Sequence, residues 1–266
     1  MKAISKFLFA LKMTLWGTYS VWRRHAKVYQ RSFLFNCIPP LFEPIIYLVA
    51  FGFGLSPLIR EVSYLGNNIP YLNFIAPAMI GIGLLFQSFF EGAYGSFVRL
   101  AYVKTWQTML TAPLNFTEVF MGEWFWAATK GMIVGTLTGI AAIALGLYTP
   151  LNLLISLPIM LLSSLLFAAL GVVTASLVNQ VDQVNIPIFL VIVPMTTFCG
   201  TYFPRDNLPF FLRPIANTLP LAAIVDLLRW PLGLPSYWWI GLLWIIVLLI
   251  LVSSLAARLI YPKVIR

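Results

Sequence analysis

The sequence predicts an all-α membrane protein with six transmembrane helices. Of its 266 residues, 61% are hydrophobic and 9% are charged, whereas ordinary soluble domains are about half apolar and roughly a quarter charged. The mean hydropathy is +0.91. Six separate stretches are apolar over the roughly 20 residues that a helix needs to cross the hydrocarbon layer. These observations exclude a soluble single-domain enzyme, and they exclude a disordered chain, which is polar and poor in aromatics.

The segment 1–32 precedes the predicted spans and carries seven of the 17 Lys and Arg residues. Leu11, Leu15 and Trp22 follow helical spacing, and basic residues lie between them. This pattern predicts an amphipathic helix that lies in the membrane surface. A lysine breaks the apolar stretch and a small-x-small cleavage site does not follow it, so we do not expect a signal peptide. The basic residues indicate contact with anionic lipid headgroups, and not with nucleic acid.

The six apolar runs define the predicted spans, and the charges between them predict the orientation. With the N-terminus in the cytoplasm, twelve of the 17 Lys and Arg residues fall on inner segments or at the inner end of the last span. Four fall on outer segments. The positive-inside rule therefore predicts that both termini are cytoplasmic. The predicted spans are 33–55, 71–90, 119–148, 151–178, 185–203 and 237–260.

The segment 204–235 is too apolar for an ordinary loop, yet charged residues and prolines interrupt it. The prolines prevent one continuous helix. We predict a re-entrant hairpin of two short helices in the outer leaflet, because broken helices at membrane depth need cover from protein or a water-filled cavity. The alternative is a helical hairpin that rests on the headgroups.

Charged and small residues inside the spans predict two helix contacts. Glu43 and Lys130 lie at similar depth in the first and third spans, and an isolated charge at the bilayer centre costs several kcal/mol. We therefore predict that they form a buried pair that fixes helix positions, with a role in substrate passage or switching as the alternative. Gly131, Gly135 and Gly139 form a small-residue stripe that predicts close helix packing within one subunit, in preference to a dimer seam.

The sequence indicates no catalytic, cofactor-binding or metal site. It lacks the phosphate-binding pattern G-x-x-x-x-G-K-[ST], and it contains one histidine and two cysteines. The best candidate for a cytoplasmic working part is 93–118, where a short amphipathic helix suits a groove on a soluble partner. The alternative is a loop on the membrane surface. The candidate contact residues are Phe97, Arg99, Leu100, Lys104, Thr105, Trp106 and Leu110.

The order of these elements and several short motifs resemble the ABC-2 family of ABC exporter permeases across nearly the whole chain. The likeness is greatest to the permeases of nodulation lipo-oligosaccharide exporters and related polysaccharide and drug export subunits. The motifs are LFEPIIYL at 41–48, GFGL at 52–55, YLNFIAPAM at 71–79, KTWQTMLTAPL at 104–114, GEW at 122–124, WAATK at 126–130, GTYFP at 200–204 and DLLR at 226–229.

This resemblance implies one transmembrane domain over 1–266, in a bacterial inner membrane. It implies a homodimer joined to two copies of a separate ATPase, which holds ATP and Mg, so that this chain is a transport subunit and not an enzyme. Residues 99–110 are then the coupling helix. The substrate expected is an amphiphile, a lipid-linked or acylated oligosaccharide first and a hydrophobic drug second. The outer gate is formed by Phe203, Pro204, Leu208, Pro209, Leu212, Pro220, Asp226 and Arg229.

Two other functions remain open from the residues. One is an ion-coupled secondary transporter that uses Glu43, Glu91, Glu123 and Lys130 as coupling charges, although the two halves of the sequence show no convincing similarity. The other is a membrane enzyme that acts on lipid-linked sugars, although the acidic residues are scattered. Co-purification with an ATPase subunit distinguishes the exporter from both.

Overall fold

The computed structural model describes residues 2–234 and 238–265, with side chains for 14–234 and 238–264. The ends of the predicted domain, the last residue of the predicted hairpin and the predicted beginning of the sixth span lie outside the described residues. Six helical stretches are long and apolar enough to cross a membrane, which confirms the predicted fold class. We call them spans 1 to 6: Phe33–Ile59, Tyr71–Tyr102, Phe116–Ala144, Pro150–Leu177, Val181–Phe198 and Trp238–Val264.

The chain order of the regular elements places one long helix before the spans and a pair of short helices before the last span. The α-helices are α1 Lys2–Gln30, α2 Phe33–Ala50, α3 Ser56–Ile59, α4 Tyr71–Phe90, α5 Thr105–Leu110, α6 Phe116–Ala144, α7 Pro150–Leu177, α8 Asn185–Pro187, α9 Val193–Phe198, α10 Arg213–Thr218, α11 Pro220–Arg229 and α12 Trp238–Ile265. The strands are β1 Glu61–Tyr64 and β2 Asn67–Pro70. π-Helical stretches complete spans 1, 2 and 5 at Phe51–Leu55, Glu91–Gly95, Val98–Tyr102 and Ile188–Ile192.

Span 2 extends further than the sequence pattern predicted. It continues from Phe90 through two π-helical stretches to Tyr102, so the first part of the predicted loop 93–118, up to Tyr102, belongs to span 2. No proline interrupts the chain in this stretch, and the helix ends only where Lys104 adopts a left-handed conformation (φ 52°). π-Helical stretches inside helices are rare and occur often at functional sites.

A β-hairpin connects spans 1 and 2, and the sequence analysis missed it. Val62 pairs with Ile69, and Tyr64 pairs with Asn67, in an antiparallel register. Leu65 and Gly66 have φ values of 48° and 82°, which match the two-residue type I′ turn that favours glycine.

Close helix contacts depend on glycines. A Cβ added at Gly131 would meet Ser88 of span 2, and one added at Gly135 would meet Leu84 of the same span. The predicted packing of the glycine stripe within one subunit is therefore confirmed. Spans 2 and 4 cross most closely at Gly92 and Gly171, where an added Cβ would clash with backbone atoms of the facing helix. The sequence analysis did not identify this crossing.

The helices α10 and α11 form the segment that the sequence predicted as a hairpin. Gly81 faces the α11 side chains Leu221, Val225 and Leu228. Gly81 is ten residues into span 2, which corresponds to about 15 Å of helix. The apolar face of α11 thus packs beside the middle of a membrane span, and span 6 covers α11 from another side.

Candidate functional site

A cluster of charged side chains is enclosed where α1, span 2 and span 3 meet. It consists of His25 from α1, Glu91 and Arg99 from span 2, and Glu123 and Lys130 from span 3. Glu123 is fully buried, and Glu91 and His25 are 9% and 7% exposed. Glu123 and Lys130 are seven residues apart, so they lie on the same face of span 3. We call these five residues the inner cluster.

The inner cluster satisfies both carboxylates. Arg99 donates from Nε to Glu123 Oε2 and from Nη1 to Glu91 Oε1, both at 2.8 Å. Lys130 Nζ lies 2.6 Å from Glu91 Oε2, and His25 Nε2 lies 2.9 Å from Glu123 Oε1. The Nη2 atom of Arg99 is buried without a hydrogen-bond partner among the described residues. The guanidinium therefore has a spare donor if its neighbours move.

Aromatic side chains enclose the inner cluster. Trp126 Nε1 donates to Glu91 Oε1 at 3.1 Å, and the Trp126 ring stacks on His25 with centroids 5.8 Å apart. Lys130 Nζ lies 5.2 Å from the centroid of the Tyr29 ring, a cation–π distance. Burial raises the pKa of Tyr29 above its ordinary value, and the nearby Cys37 raises it further. The aromatic groups keep water from the ion pairs and so strengthen them.

The predicted pair of Glu43 and Lys130 is wrong, because Lys130 binds Glu91. Similar depth in the membrane does not fix the direction in which a helix presents a side chain. The π-helical extension of span 2 carries Glu91 to Lys130, and the sequence analysis had placed Glu91 after the end of that span. Glu43 has no ion pair among the described residues.

Glu43 instead lines an open groove between spans 1 and 5. The groove has a volume of about 340 Å³ and ends near Tyr202. A second depression of about 130 Å³ lies on the other side of Glu43, against span 2. Glu43 is exposed in the single chain. The groove is lined by Glu43, Tyr47, Phe51, Phe86, Val193, Thr196, Thr197 and Tyr202.

The apolar residues predicted to contact a partner through 93–118 are turned inward. Phe97, Leu100 and Trp106 are only 3%, 4% and 0% exposed. Leu100 and Trp106 pack with Val119 and Phe120 of span 3. The prediction that these three side chains fill a partner's groove is therefore wrong. An amphipathic pattern does not say which neighbour covers its apolar face, and here span 3 covers it.

The other predicted contact residues of this segment have different environments. Arg99 does not reach a partner's acids, because it belongs to the inner cluster. Thr105 is buried, Leu110 is half-buried and Lys104 is exposed. Within 99–110 the exposed side chains are those of Ala101, Tyr102, Val103, Lys104 and Thr108, which we call the rim.

A second charged cluster lies at the opposite end of span 2. Arg229, 1% exposed, donates from Nη2 to the carbonyl oxygens of Gly200 (2.7 Å) and Phe74 (3.1 Å). Its Nη1 lies 3.5 Å from Asp226 Oδ1, and Asp226 also binds Arg205. Tyr64 of the β-hairpin donates to Asp226 at 2.9 Å. We call Tyr64, Arg205, Asp226 and Arg229 the outer cluster.

Burial dominates the electrostatics of the outer cluster. It raises the pKa of Tyr64 to about 12, so the hydroxyl keeps its proton and donates to Asp226. It lowers the pKa of the enclosed Arg229 guanidinium. Burial also opposes the charge of Arg205, but the Asp226 carboxylate outweighs it and raises the Arg205 pKa.

The structure brings two of the predicted gate residues, Asp226 and Arg229, into direct contact. The other six frame this contact at different exposures. Pro204 and Leu208 are buried, Phe203, Leu212 and Pro220 are half-buried, and Pro209 is exposed. The sequence pattern did not predict that Tyr64 and Arg205 bind Asp226. The available signal was the charged Arg205 next to the GTYFP motif.

Comparison with known proteins gives a consistent result. The sequence matches the ABC-2 type transporter family over residues 17–233. It is 36% identical over 210 residues to nodulation protein J of Rhizobium leguminosarum bv. viciae, covering 79% of this chain and 80% of the relative. It is 30% identical over 223 residues to nodulation protein J of Rhizobium meliloti (strain 1021), covering 84% of each. It is 20% identical over 215 residues to the inner membrane transport permease YadH of Escherichia coli (strain K12), covering 79% and 80%.

Proposed function

Because the chain belongs to the ABC-2 type transporter family and is a membrane permease, we propose that a separate ATPase subunit drives it as an exporter. The sequence has no phosphate-binding loop of the G-x-x-x-x-G-K-[ST] type. Energy for pumping therefore reaches this chain through contact with a partner that binds ATP and Mg. Two copies of the permease and two of the ATPase form the working unit, in a bacterial inner membrane with both permease termini in the cytoplasm.

The observation that carries this proposal is the exposure of the rim, which lies directly beside the inner cluster in the chain. Tyr102 and Val103 are 64% and 61% exposed, and Arg99 lies one helical turn before them. Exposed aromatic side chains often dominate protein contacts, so Tyr102 serves as the anchor for the ATPase. When the ATPase moves the rim, Arg99 shifts between Glu91 and Glu123. The motion thereby reaches α1 and span 3.

Glu43 supports the second copy of the permease. It is exposed about ten residues into span 1, and a charge that faces lipid at such a depth costs several kcal/mol. A second chain over spans 1 and 5 removes Glu43 from lipid and turns the open groove into an enclosed passage. Phe189 and Leu190 of span 5, which are 70% and 73% exposed, supply apolar contact area on the same side.

The groove suits an amphiphilic substrate. Glu43, Thr196 and Thr197 supply polar groups, and the aromatic rings that line the rest of the groove supply apolar area. A lipid-linked or acylated oligosaccharide is the first choice of substrate and a hydrophobic drug the second. The ion-coupled alternative has less support, because Glu91, Glu123 and Lys130 are all held in ion pairs.

The ATPase contact is tested by Tyr102→Ala, with Asn67→Ala in β2 as the control on the opposite side. Loss of an anchor typically costs about 2 kcal/mol or more, so association with the ATPase should weaken about thirtyfold. The measurement is pull-down of the ATPase together with export of a fluorescent acylated oligosaccharide. Unchanged association and export in the Tyr102 variant, with the partner present, contradict the proposal.

The dimer contact is tested separately by a cysteine in place of Leu190, in a chain in which the native Cys37 and Cys199 are replaced by alanine. A short bifunctional thiol reagent should link two permeases in membranes, whereas a cysteine at Leu154 of span 4, which is also exposed, should give no link. Monomers alone in both variants, with the ATPase present, would count against the dimer.

A further inference from the structure

The segment that contains α10 and α11, together with span 6, lines a cavity that is separate from the open groove between spans 1 and 5. Its volume is about 590 Å³, within the range of small-molecule sites. None of the residues that line the transport groove lines this cavity. Its walls come from the tip of the β-hairpin, Arg205 and Asp206, α10, α11 and the first turns of α12. Span 6 packs on span 4 and α11.

The lining of the cavity is amphipathic. Apolar side chains, among them Leu227, Ile240 and Leu243, form one part of the wall, and Asp206 and Asn217 form another. The part of α12 that lines it runs from Trp238 to Trp244, which spans about 9 Å of helix. Ile240 and Leu243 are 48% and 60% exposed, so the apolar part opens to lipid.

The polar end of the cavity offers hydrogen-bond acceptors. Asp226 is already engaged by Tyr64, Arg205 and Arg229. The side chains of Asp206 and Asn217 are exposed and have no hydrogen-bond partner among the described residues. Asp206 is thus a cavity-lining carboxylate whose side chain is free to accept, which favours a ligand headgroup that places N–H or O–H donors beside it.

We propose that this cavity binds a single outer-leaflet lipid whose headgroup donates hydrogen bonds to Asp206 and Asn217. The acyl chain lies along Leu227, Ile240 and Leu243, and Trp238 at the beginning of span 6 flanks it at the interface, where tryptophan is favoured. A primary ammonium and a set of sugar hydroxyls both supply the required donors. The bound lipid holds α10 and α11 in place beside span 6 and is not the transported substrate.

The test is native mass spectrometry of the full chain in mild detergent, with phosphatidylethanolamine and phosphatidylcholine of identical acyl chains. The two headgroups are both zwitterionic, but only the ethanolamine ammonium has N–H donors. We expect about tenfold higher retention of phosphatidylethanolamine, since a hydrogen bond to a charged group contributes about 1.5 kcal/mol or more. A diglucosyl diacylglycerol forms a third arm, and phosphatidylglycerol a fourth.

The double variant Asp206→Asn with Asn217→Ala should abolish this preference, whereas Asn67→Ala should leave it unchanged. These positions are exposed, so the variants fold. Stronger retention of the glucosyl lipid that the double variant also abolishes identifies sugar hydroxyls as the donors. Equal retention of the ethanolamine and choline lipids, or a preference for any of the four lipids, phosphatidylglycerol included, that survives in the double variant, overturns the proposal. Each readout is independent of ATPase binding and export, so it can fail while the transport function stands.

Discussion

Two arginines, the half-buried Arg99 and the buried Arg229, anchor the two ends of span 2 in different ways. Arg229 donates mainly to backbone carbonyl oxygens, at Phe74 and Gly200. Arg99 donates to two carboxylates on different spans, Glu91 and Glu123. A backbone carbonyl moves only with its whole helix, so Arg229 fixes the hairpin in place. Side-chain carboxylates reorient by rotamer changes, so the ion pairs of Arg99 with Glu91 and Glu123 can rearrange without the movement of a whole helix.

From this difference between the two arginines we expect the outer cluster to serve stability and, under the proposed function, the inner cluster to serve coupling. The inner cluster joins α1, span 2 and span 3 through side chains alone, next to the rim and two π-helical stretches. The outer cluster joins the β-hairpin, span 2 and α11 partly through the main chain. Three substitutions, taken from the largest expected loss of stability to the smallest, test this division of roles.

The largest loss is expected for Arg229→Met. The substitution deprives Asp226 of a buried, positively charged partner and leaves the carbonyl oxygens of Phe74 and Gly200 without their donor. Breaking a buried pair in this way costs about 3–5 kcal/mol of stability. Thermal unfolding in detergent measures the loss. Arg213→Met is the control, because Arg213 is exposed and bonds only to loop carbonyls. An equal loss in both variants would remove the special role of Arg229.

Glu91→Gln should lower stability less, by about 2 kcal/mol, and should affect coupling more. The amide keeps an acceptor for Arg99 but loses the charge that holds Lys130. The measurement is the ratio of ATP hydrolysis to export in the assembled complex, which should rise while the ATPase stays bound. Glu118→Gln is the control, because Glu118 caps the beginning of α6 at Asn115. A ratio that does not change would place the coupling elsewhere.

His25→Leu should have the smallest effect on stability, about 1 kcal/mol, because Glu123 keeps its bond to Arg99 after losing His25. The readout is the melting temperature of Glu91→Gln, His25→Leu and the double variant. Since both residues act through one cluster, their effects should be non-additive. Strict additivity would show that His25 and Glu91 are independent.

The sequence predicted the spans well and their side-chain contacts poorly. Apolar length fixes where a helix crosses a membrane. All five predicted spans whose first residue is among the described residues begin within about five residues of the observed ones. A carboxylate partner for Lys130 was expected. Depth in the membrane was the one criterion that the sequence offered, and it pointed to Glu43, whereas Lys130 binds Glu91. Trp106 belonged to an amphipathic pattern, but the pattern did not show whether span 3 or a partner covers it.

By itself the sequence determined the number of spans, the interruption of the segment 204–235 by prolines and the membership in the ABC-2 type transporter family, because these follow from composition, proline placement and local motifs. Tertiary structure decided the rest. The rotation of each helix and the π-helical lengthening of span 2 choose which charges meet, and they turn Trp106 inward and Tyr102 outward. Those choices depend on packing between segments far apart in the chain, and local patterns contain no information about it.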